Sequence, residues 1–475
     1  MTSPIKFGTE GWRGIIAQDF TFDNVRICAQ AVAGYLRQAG LANRGLVIGY
    51  DTRFASEDFA QAAAEVVAGN GIKVYLCSQA MPTPVVSYGV LAKKAGGAIV
   101  ITASHNPARW NGLKYKSEDG ASAPPEAIAE LEKNIAGIDS SGKIERIPLA
   151  EAQEQGLIEY TDLAPVYLKQ IASLVDLDGL RKAGLKIVVD YMYGAGAGYF
   201  GVLLGGGAGR LVEINDRRNP IFPGIKQPEP IAVNLAKLSA VVKEEKASVG
   251  IATDGDADRI GIIDEKGNFL TQLQVFALLA LYLLEVRGQR GAIVKTITTT
   301  SMLYRLGEIF GVPVYETPVG FKFVAPVMLA QDALVGGEES GGYGFRGHVP
   351  ERDAILAGLY FLDLMTRTGK TPSQLLDYLY SKVGPHHYSR ADIEFPEPER
   401  QKIASRLRDS SPGMLDGVRV AKKDTFDGFR FTLADNAWLL IRFSGTEPLL
   451  RIYAESDSPA RVDRLLERGK GLAGV

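Results

Sequence analysis

Cysteine is almost absent from this chain. Cys28 and Cys77 are the only two, which fits a reduced compartment and leaves nothing for a Cys-based zinc site. Histidine is scarce too: His105, His348, His386 and His387 are all there are, and no pair has the spacing of a zinc-binding helix. Long hydrophobic runs are missing. The longest, VFALLALYLL, falls well short of the ~18–20 apolar residues of a membrane span, and MTSPIKFGTEGWRG holds no apolar signal segment. A cytoplasmic protein is expected, with that run as a buried helix. Charge of one sign is missing as well. The 53 Lys and Arg nearly balance 55 Asp and Glu, so no overall field marks a nucleic-acid or membrane partner, and an anionic ligand has to be held locally.

Glycine, by contrast, is plentiful. Its 53 residues exceed the usual share of ~7% and fall largely in loops, where backbone can approach a ligand closely. At 475 residues the chain is too long for one ordinary core, and ~100–150 residues per domain suggests three or four. Short apolar strands alternate with amphipathic helices from GLVIGYD to AIVIT, which reads as crossover units around a covered, mostly parallel sheet. The rhythm restarts at LKIVVDYMYGAG and again at the helix around Leu273–Val286. Past the HH and FPEPE of 381–399 the pattern changes to a helix, three strand runs and a closing helix. The expected fold is three similar α/β domains with mixed sheets (1–150, 151–258, 259–380) and a C-terminal α+β domain (381–475), around a central cleft.

Four loops carry chemistry. TASHNP, 102–107, presents Ser104 and His105 in a proline-closed turn directly after a strand; alone it is also an ordinary Asx-type turn. In DGDADR, Asp254, Asp256 and Asp258 alternate between two strands, and their oxygens can converge on one hard cation. Although Glu265 falls at the twelfth position of a calcium-loop count, Arg259 stands at the sixth, where that loop turns on glycine, and the flanks read as strands. A solvated acidic turn is the competing view. RFSGTEP, with Arg442, Ser444, Gly445 and Thr446, offers a guanidinium, two hydroxyls and flexible backbone, as a phosphate cradle does. Arg451 adds a second charge. The loop lacks the lysine and spacing of a nucleotide P-loop. GEESGG places Glu338 and Ser340 beside glycines, suited to sugar hydroxyls or to a plain surface turn. For Arg13 in FGTEGWRG and Lys114 in NGLKYK, taken singly, a solvated surface role is the simpler account.

One nucleophilic hydroxyl, one divalent cation, one phosphate grip and one polyol grip describe phosphoryl transfer on a phosphosugar. In order and content, FGTEGWRG, TASHNP, DGDADR, GEESGG and RFSGTEP resemble the motifs of the α-D-phosphohexomutase superfamily, the phosphoglucomutases and phosphomannomutases. The resemblance spans nearly the whole chain. It implies that Ser104 is a phosphoserine whose phosphoryl group shares Mg²⁺ with Asp254, Asp256 and Asp258. Lys114 and His105 match positions proposed for proton transfer or for steadying the phosphate, and Arg13 and Arg259 would contact phosphoserine and substrate. Glu338 and Ser340 would hold the sugar, with the idle phosphate on Arg442, Ser444, Gly445 and Thr446 of a lid-like last domain. Gly342, where dual-specificity members often carry histidine, and the PVGFK segment with Gly320 and Lys322 resemble the glucose type.

The expected activity is interconversion of glucose 1-phosphate and glucose 6-phosphate, with glucose 1,6-bisphosphate as activator and intermediate, by a monomer or weak homodimer. The same site also suits a hexose 1,6-bisphosphate synthase that releases the bisphosphate, or a phosphomannomutase. A non-catalytic phosphosugar-binding protein would lack Ser104 or a metal carboxylate, and none is lost.

Overall fold

Each of the three rounds read from the sequence folds as parallel strands finished by an antiparallel partner. The computed structural model describes residues 5–8, 10–444 and 449–475. In the first sheet the strands lie in the order Trp12–Ile15, Trp110–Lys116, Ala98–Ile101, Leu46–Tyr50, Val74–Cys77, Ile158–Thr161. The last four are parallel neighbours, Trp110–Lys116 runs against them, and Trp12–Ile15 pairs antiparallel with Trp110–Lys116 in turn. The second sheet, Phe269–Leu270, Ile260–Ile263, Val249–Thr253, Lys186–Asp190, Arg210–Ile214, repeats the scheme. So does the third: Val314–Thr317, Ile293–Thr296, Val335–Gly337, Tyr343–Phe345. A fourth sheet of six strands, from His387–Glu394 to Met414–Leu415, is antiparallel throughout and is closed by the helix Pro459–Ala473.

The inner strands are apolar on both faces because helices cover both, as in Ala98–Ile101, buried along its length. The run VFALLALYLL forms most of the helix Gln272–Leu281, buried at every residue but Gln274, and of its π-turn continuation to Val286. Thr271 and Gln274 start it with a reciprocal capping box. Behind it, Ala354–Thr368 is buried from Ala354 to Met365, with Asp353 as its cap. One continuous core joins the first three domains, taking in Val47, Phe200, Ile251, Phe276 and Leu356. The last domain has its own, built on Phe431, Leu439, Ile452 and Leu465. Among the described residues no helix is long and apolar enough to cross a membrane.

The sheets extend past two of the expected domain edges. Ile158–Thr161 pairs with Val74–Cys77 and so belongs with the first sheet, beyond residue 150. Likewise, the strands at Ile260 and Phe269 fold back onto Val249–Thr253 and keep the second domain going past 258. Glu265, the residue that fell in a calcium-loop position, accepts hydrogen bonds from Thr371 Oγ1 (3.0 Å) and Ser373 N (3.2 Å) at the start of the helix Pro372–Val383.

Candidate active site

The topology puts each chemical loop at one equivalent place. Residues 102–109, 254–259, 338–342 and 444–448 each join two antiparallel neighbours of a sheet. In the first three domains the loop leaves the carboxyl end of a parallel strand, where open α/β sheets bind ligands.

Ser104 is fully buried and sits at φ 51°, in the left-handed region. A residue with a side chain gives up about 1–2 kcal/mol there, so surrounding contacts must hold it. Arg53 does so from beneath. Its guanidinium donates to the carbonyls of Ser104 (2.6 Å), Asn106 (2.6 Å), Pro107 (3.1 Å) and Trp110 (3.1 Å), while pairing with Asp51 at 3.2 Å. Asp51 in turn accepts from Thr102 Oγ1 at 2.6 Å, and Thr102 Oγ1 accepts from Ser104 N at 2.8 Å. The serine hydroxyl donates to Asp254 Oδ2 at 2.7 Å and lies 3.2 Å from His105 Nδ1.

Asp254, Asp256 and Asp258 are each 0% exposed and bring one oxygen apiece within 4.8 Å of one another. Ala257, at φ 55°, bends the loop. Gly194 of the neighbouring segment abuts it so closely that a Cβ there would lie 2.7 Å from the Gly255 carbonyl. Asp254 Oδ1 accepts from the backbone N–H of Asp258 (2.9 Å) and Arg259 (3.1 Å). Asp256 Oδ2 accepts from Thr83 Oγ1 (2.6 Å) and Lys114 Nζ (2.8 Å). Oδ1 of Asp256 and Oδ1 of Asp258 are buried with no hydrogen-bond partner among the described residues. Burial, then repulsion from Asp258 and Asp256, pushes Asp254 well above the usual carboxylate range. Crowded, all-oxygen and partly unpaired, the set fits a small hard cation.

Positive groups ring this cluster. Lys114, 2% exposed, reaches Asp256, Asp258 (3.2 Å) and Glu10 (3.5 Å). Burial works against its charge, yet Asp256, Asp258 and Glu10 outweigh burial and raise its pKa. With these three carboxylates around it Lys114 keeps its proton, the opposite of the shift a base needs. His105 moves the other way: burial, then Arg259, Arg13, Lys114 and Arg53, hold it far below the ordinary imidazole value and therefore neutral. Arg13, on the strand Trp12–Ile15, donates to Asn106 Oδ1. Arg259 pairs with Glu229 at 3.3 Å and lies 3.8 Å from Asp258.

The third loop bonds both to the cluster and to the last domain. Glu338 is buried and bonds Arg352 at 2.9 Å, and Ser340 is half-buried on the same turn. Glu339 accepts from Tyr388 (2.9 Å) and Arg390 (3.2 Å) of the last domain. Arg442 and Arg451 stand opposite each other on adjacent strands, where like charges repel. Asp427 takes Arg442 Nε at 3.0 Å and Val319 N at 2.8 Å, so it ties this arginine to the segment holding Gly320 and Lys322. Gly320, at φ 129°, begins the helix Phe321–Ala330. Ser444 is buried, and its N–H closes on Leu449 O at 2.8 Å. Gly445 and Thr446 lie outside the described residues.

Ser104, His105, Arg13, Lys114, the three aspartates, Arg259 and Glu338 thus form one cluster. Gly320, Lys322, Ser340, Arg442, Ser444 and Arg451 lie on third- and fourth-domain segments that Asp427 and Glu339 join to one another. Sequence reasoning passed over Arg53, Thr83, Glu10 and Arg352, all of which bond to this cluster.

Comparison with known proteins follows the same division of the chain. Models of phosphoglucomutase/phosphomannomutase alpha/beta/alpha domains I, II and III match residues 4–142, 165–267 and 272–383, and that of the C-terminal domain matches 403–469. A Thermococcus kodakarensis protein named phosphoglucomutase/phosphomannomutase is 32% identical over 463 residues, spanning 98% of this chain and 97% of its own. One from Methanosphaera stadtmanae, named as a phosphoglucosamine mutase, is 31% identical over 97% and 96% of the two chains. A crystal structure from Thermus thermophilus, assigned as a phosphomannomutase, superposes with a TM-score of 0.86 at 35% identity over 100% of both chains.

Proposed function

Because the chain belongs to the phosphoglucomutase/phosphomannomutase family, and is thus an enzyme of intramolecular phosphoryl transfer, we propose that it interconverts glucose 1-phosphate and glucose 6-phosphate. The observation that carries the reading is Ser104 Oγ at 2.7 Å from Asp254, inside a buried aspartate cluster with two unpaired oxygens. Phosphorylated Ser104 gives its phosphoryl group to the free hydroxyl of the sugar phosphate. The P–Oγ bond breaks, a P–O bond to the sugar forms, and the sugar hydroxyl's proton passes through the site to the Ser104 Oγ that is left behind. Glucose 1,6-bisphosphate then turns end over end, and its other phosphoryl group returns to Ser104.

Asp254, Asp256 and Asp258 would hold Mg²⁺, which supplies charge neutralisation for the moving group. The chain's own residues position the rest. Arg13 and Lys114 steady the phosphoryl oxygens, and Arg259 meets the substrate. Glu338 and Ser340 accept and donate to sugar hydroxyls in both orientations. The idle phosphate rests on Arg442, Ser444, Gly445, Thr446 and Arg451, with Gly320 and Lys322 at the edge. The preference for glucose is supported by the glucose-type resemblance of Gly342 and of 318–322.

Two assays test this, both with Mg²⁺. With catalytic glucose 1,6-bisphosphate, glucose 1-phosphate should turn over faster than the mannose and glucosamine 1-phosphates; a faster mannose or glucosamine reaction reassigns the substrate. With glucose 6-phosphate and fructose 1,6-bisphosphate, little free bisphosphate should build up. Stoichiometric accumulation there, with slow isomerisation in the first assay, would make the enzyme a bisphosphate synthase.

The phosphate grip has its own test. Arg442→Ala should raise KM for glucose 1-phosphate roughly 30-fold or more, as removal of a desolvated charge pair costs about 2–5 kcal/mol. Since remote grips also orient the reacting end, kcat should fall somewhat as well. An unchanged KM would reduce RFSGTEP to a structural turn.

A further inference from the structure

We propose that Arg352 is a positioning residue for sugar recognition, and that residue 342 is glycine to make room for it; the inference rests on reading Glu338 as a sugar grip. Arg352 immediately precedes the capping Asp353 of the buried helix Ala354–Thr368 and is 2% exposed. Its guanidinium binds three carboxylates from three domains: Glu10 of the first, Asp258 of the second, and Glu338 of its own at 2.9 Å. Glu351, 3.5 Å away, adds a fourth and pairs in turn with Lys116 of the first domain. A planar fork with five donors can serve several acceptors at once, which a lysine ammonium on a flexible stem does poorly.

The consequence falls on Glu338. Arg352 binds its Oε2, and among the described residues no other side chain donates to Glu338. One carboxylate oxygen is thereby anchored, and the other is aimed for a sugar hydroxyl. Because the same guanidinium holds Asp258, the polyol grip and the aspartate cluster share one mechanical link.

Gly342 is the condition for that link. A Cβ built there would lie 2.2 Å from Cδ and 2.9 Å from Cγ of Arg352, inside its stem. Residue 342 does not adopt the left-handed conformation, so glycine is needed for space rather than for backbone freedom. Its carbonyl also accepts from Glu338 N at 3.1 Å, closing the turn that carries Glu338. The guanidinium lies 5.7 Å from the ring of Phe321, next to Gly320. Residue 342 therefore acts on sugar binding through Arg352 and Glu338.

A double-mutant cycle decides the matter. Gly342→Ala, Arg352→Gln and the double variant would be compared with wild type by calorimetric Kd for glucose 6-phosphate, by KM and kcat, and by Tm. Gly342→Ala should weaken binding about tenfold and Arg352→Gln about thirtyfold, and the double variant should match Arg352→Gln within about twofold, since the glutamine, untethered from the carboxylates, can swing its Cγ and Cδ clear of the alanine and has no fork to displace. KM should rise more than kcat falls. Additive losses, or an unchanged Kd in either single variant, overturn the proposal.

Should Arg352→Gln fail to fold, Arg352→Lys takes its place in the cycle. It keeps the charge and should hold Tm near wild type, yet bind the sugar phosphate as weakly as Gly342→Ala. A lysine variant with wild-type Kd shows that the fork is irrelevant and sinks the idea. If wild type binds glucose 6-phosphate but turns over no hexose phosphate, the mutase reading fails while the binding cycle still judges this one; a wild type that does not bind it overturns both.

Discussion

Ser104→Ala should lower turnover by roughly 10⁴-fold or more, as loss of a covalent nucleophile does in other enzymes, even with glucose 1,6-bisphosphate supplied. A methyl group cannot carry a phosphoryl group. The fold should survive, because Arg53 grips the loop through backbone carbonyls that alanine retains. What is lost is the hydroxyl donor to Asp254, worth about 1–3 kcal/mol for a buried acceptor left unpaired, so Tm should drop by only a few degrees. Intact mass gives a second readout. Wild type incubated with the bisphosphate should exchange between forms differing by one phosphoryl group, and the variant should show a single unmodified mass. A variant that retains a tenth of the wild-type rate, or that still takes up phosphate, would remove Ser104 from the mechanism.

How much of this was legible in the sequence depended on where the partners lie. Strands such as Ala98–Ile101 and Val249–Thr253 announce themselves by local apolar runs, and the loops after them hold Ser104 and the three aspartates within a few residues. Both the three-domain repeat and the core of the site were therefore readable. Strand partnership was not: nothing in 158–161 or 260–270 says which sheet each completes, and so the domain edges at 150 and 258 fell short.

Buried charges were the other blind spot. Lys114 reads singly as a solvated side chain and Arg53 and Arg352 pass unnoticed, yet each is at most 2% exposed and meets partners brought in from distant segments. A weak local signal did exist. Arg53 follows YDT just past the carboxyl end of a strand, and Arg352 stands two residues before the long apolar run AILAGLYFL, both poor places for a charge without a partner.

Asp256→Asn should cut kcat by about a hundred- to a thousandfold, the range seen when charge stabilisation at a reacting centre is removed, and excess Mg²⁺ should restore only part of it. The geometry dictates how. Thr83 and Lys114 both donate to Asp256 Oδ2, so the asparagine carbonyl must take that side and its amide must replace Oδ1. The oxygen that had no hydrogen-bond partner among the described residues becomes an N–H donor aimed where a cation would bind. Charge and ligand vanish together.

Stability should suffer little from the Asp256→Asn change, because Lys114 keeps Asp258 and Glu10 as partners, and one member of a crowded anionic cluster has been discharged. Mg²⁺ offers a readout apart from activity. A ligand that binds only the folded state raises Tm in proportion to the logarithm of its saturation, so wild-type Tm should climb on Mg²⁺ titration and that of the variant should stay nearly flat. Equal Mg²⁺-dependent shifts in the two proteins, or a chelator that leaves the wild-type rate untouched, would show that the aspartate cluster serves the fold and not a metal.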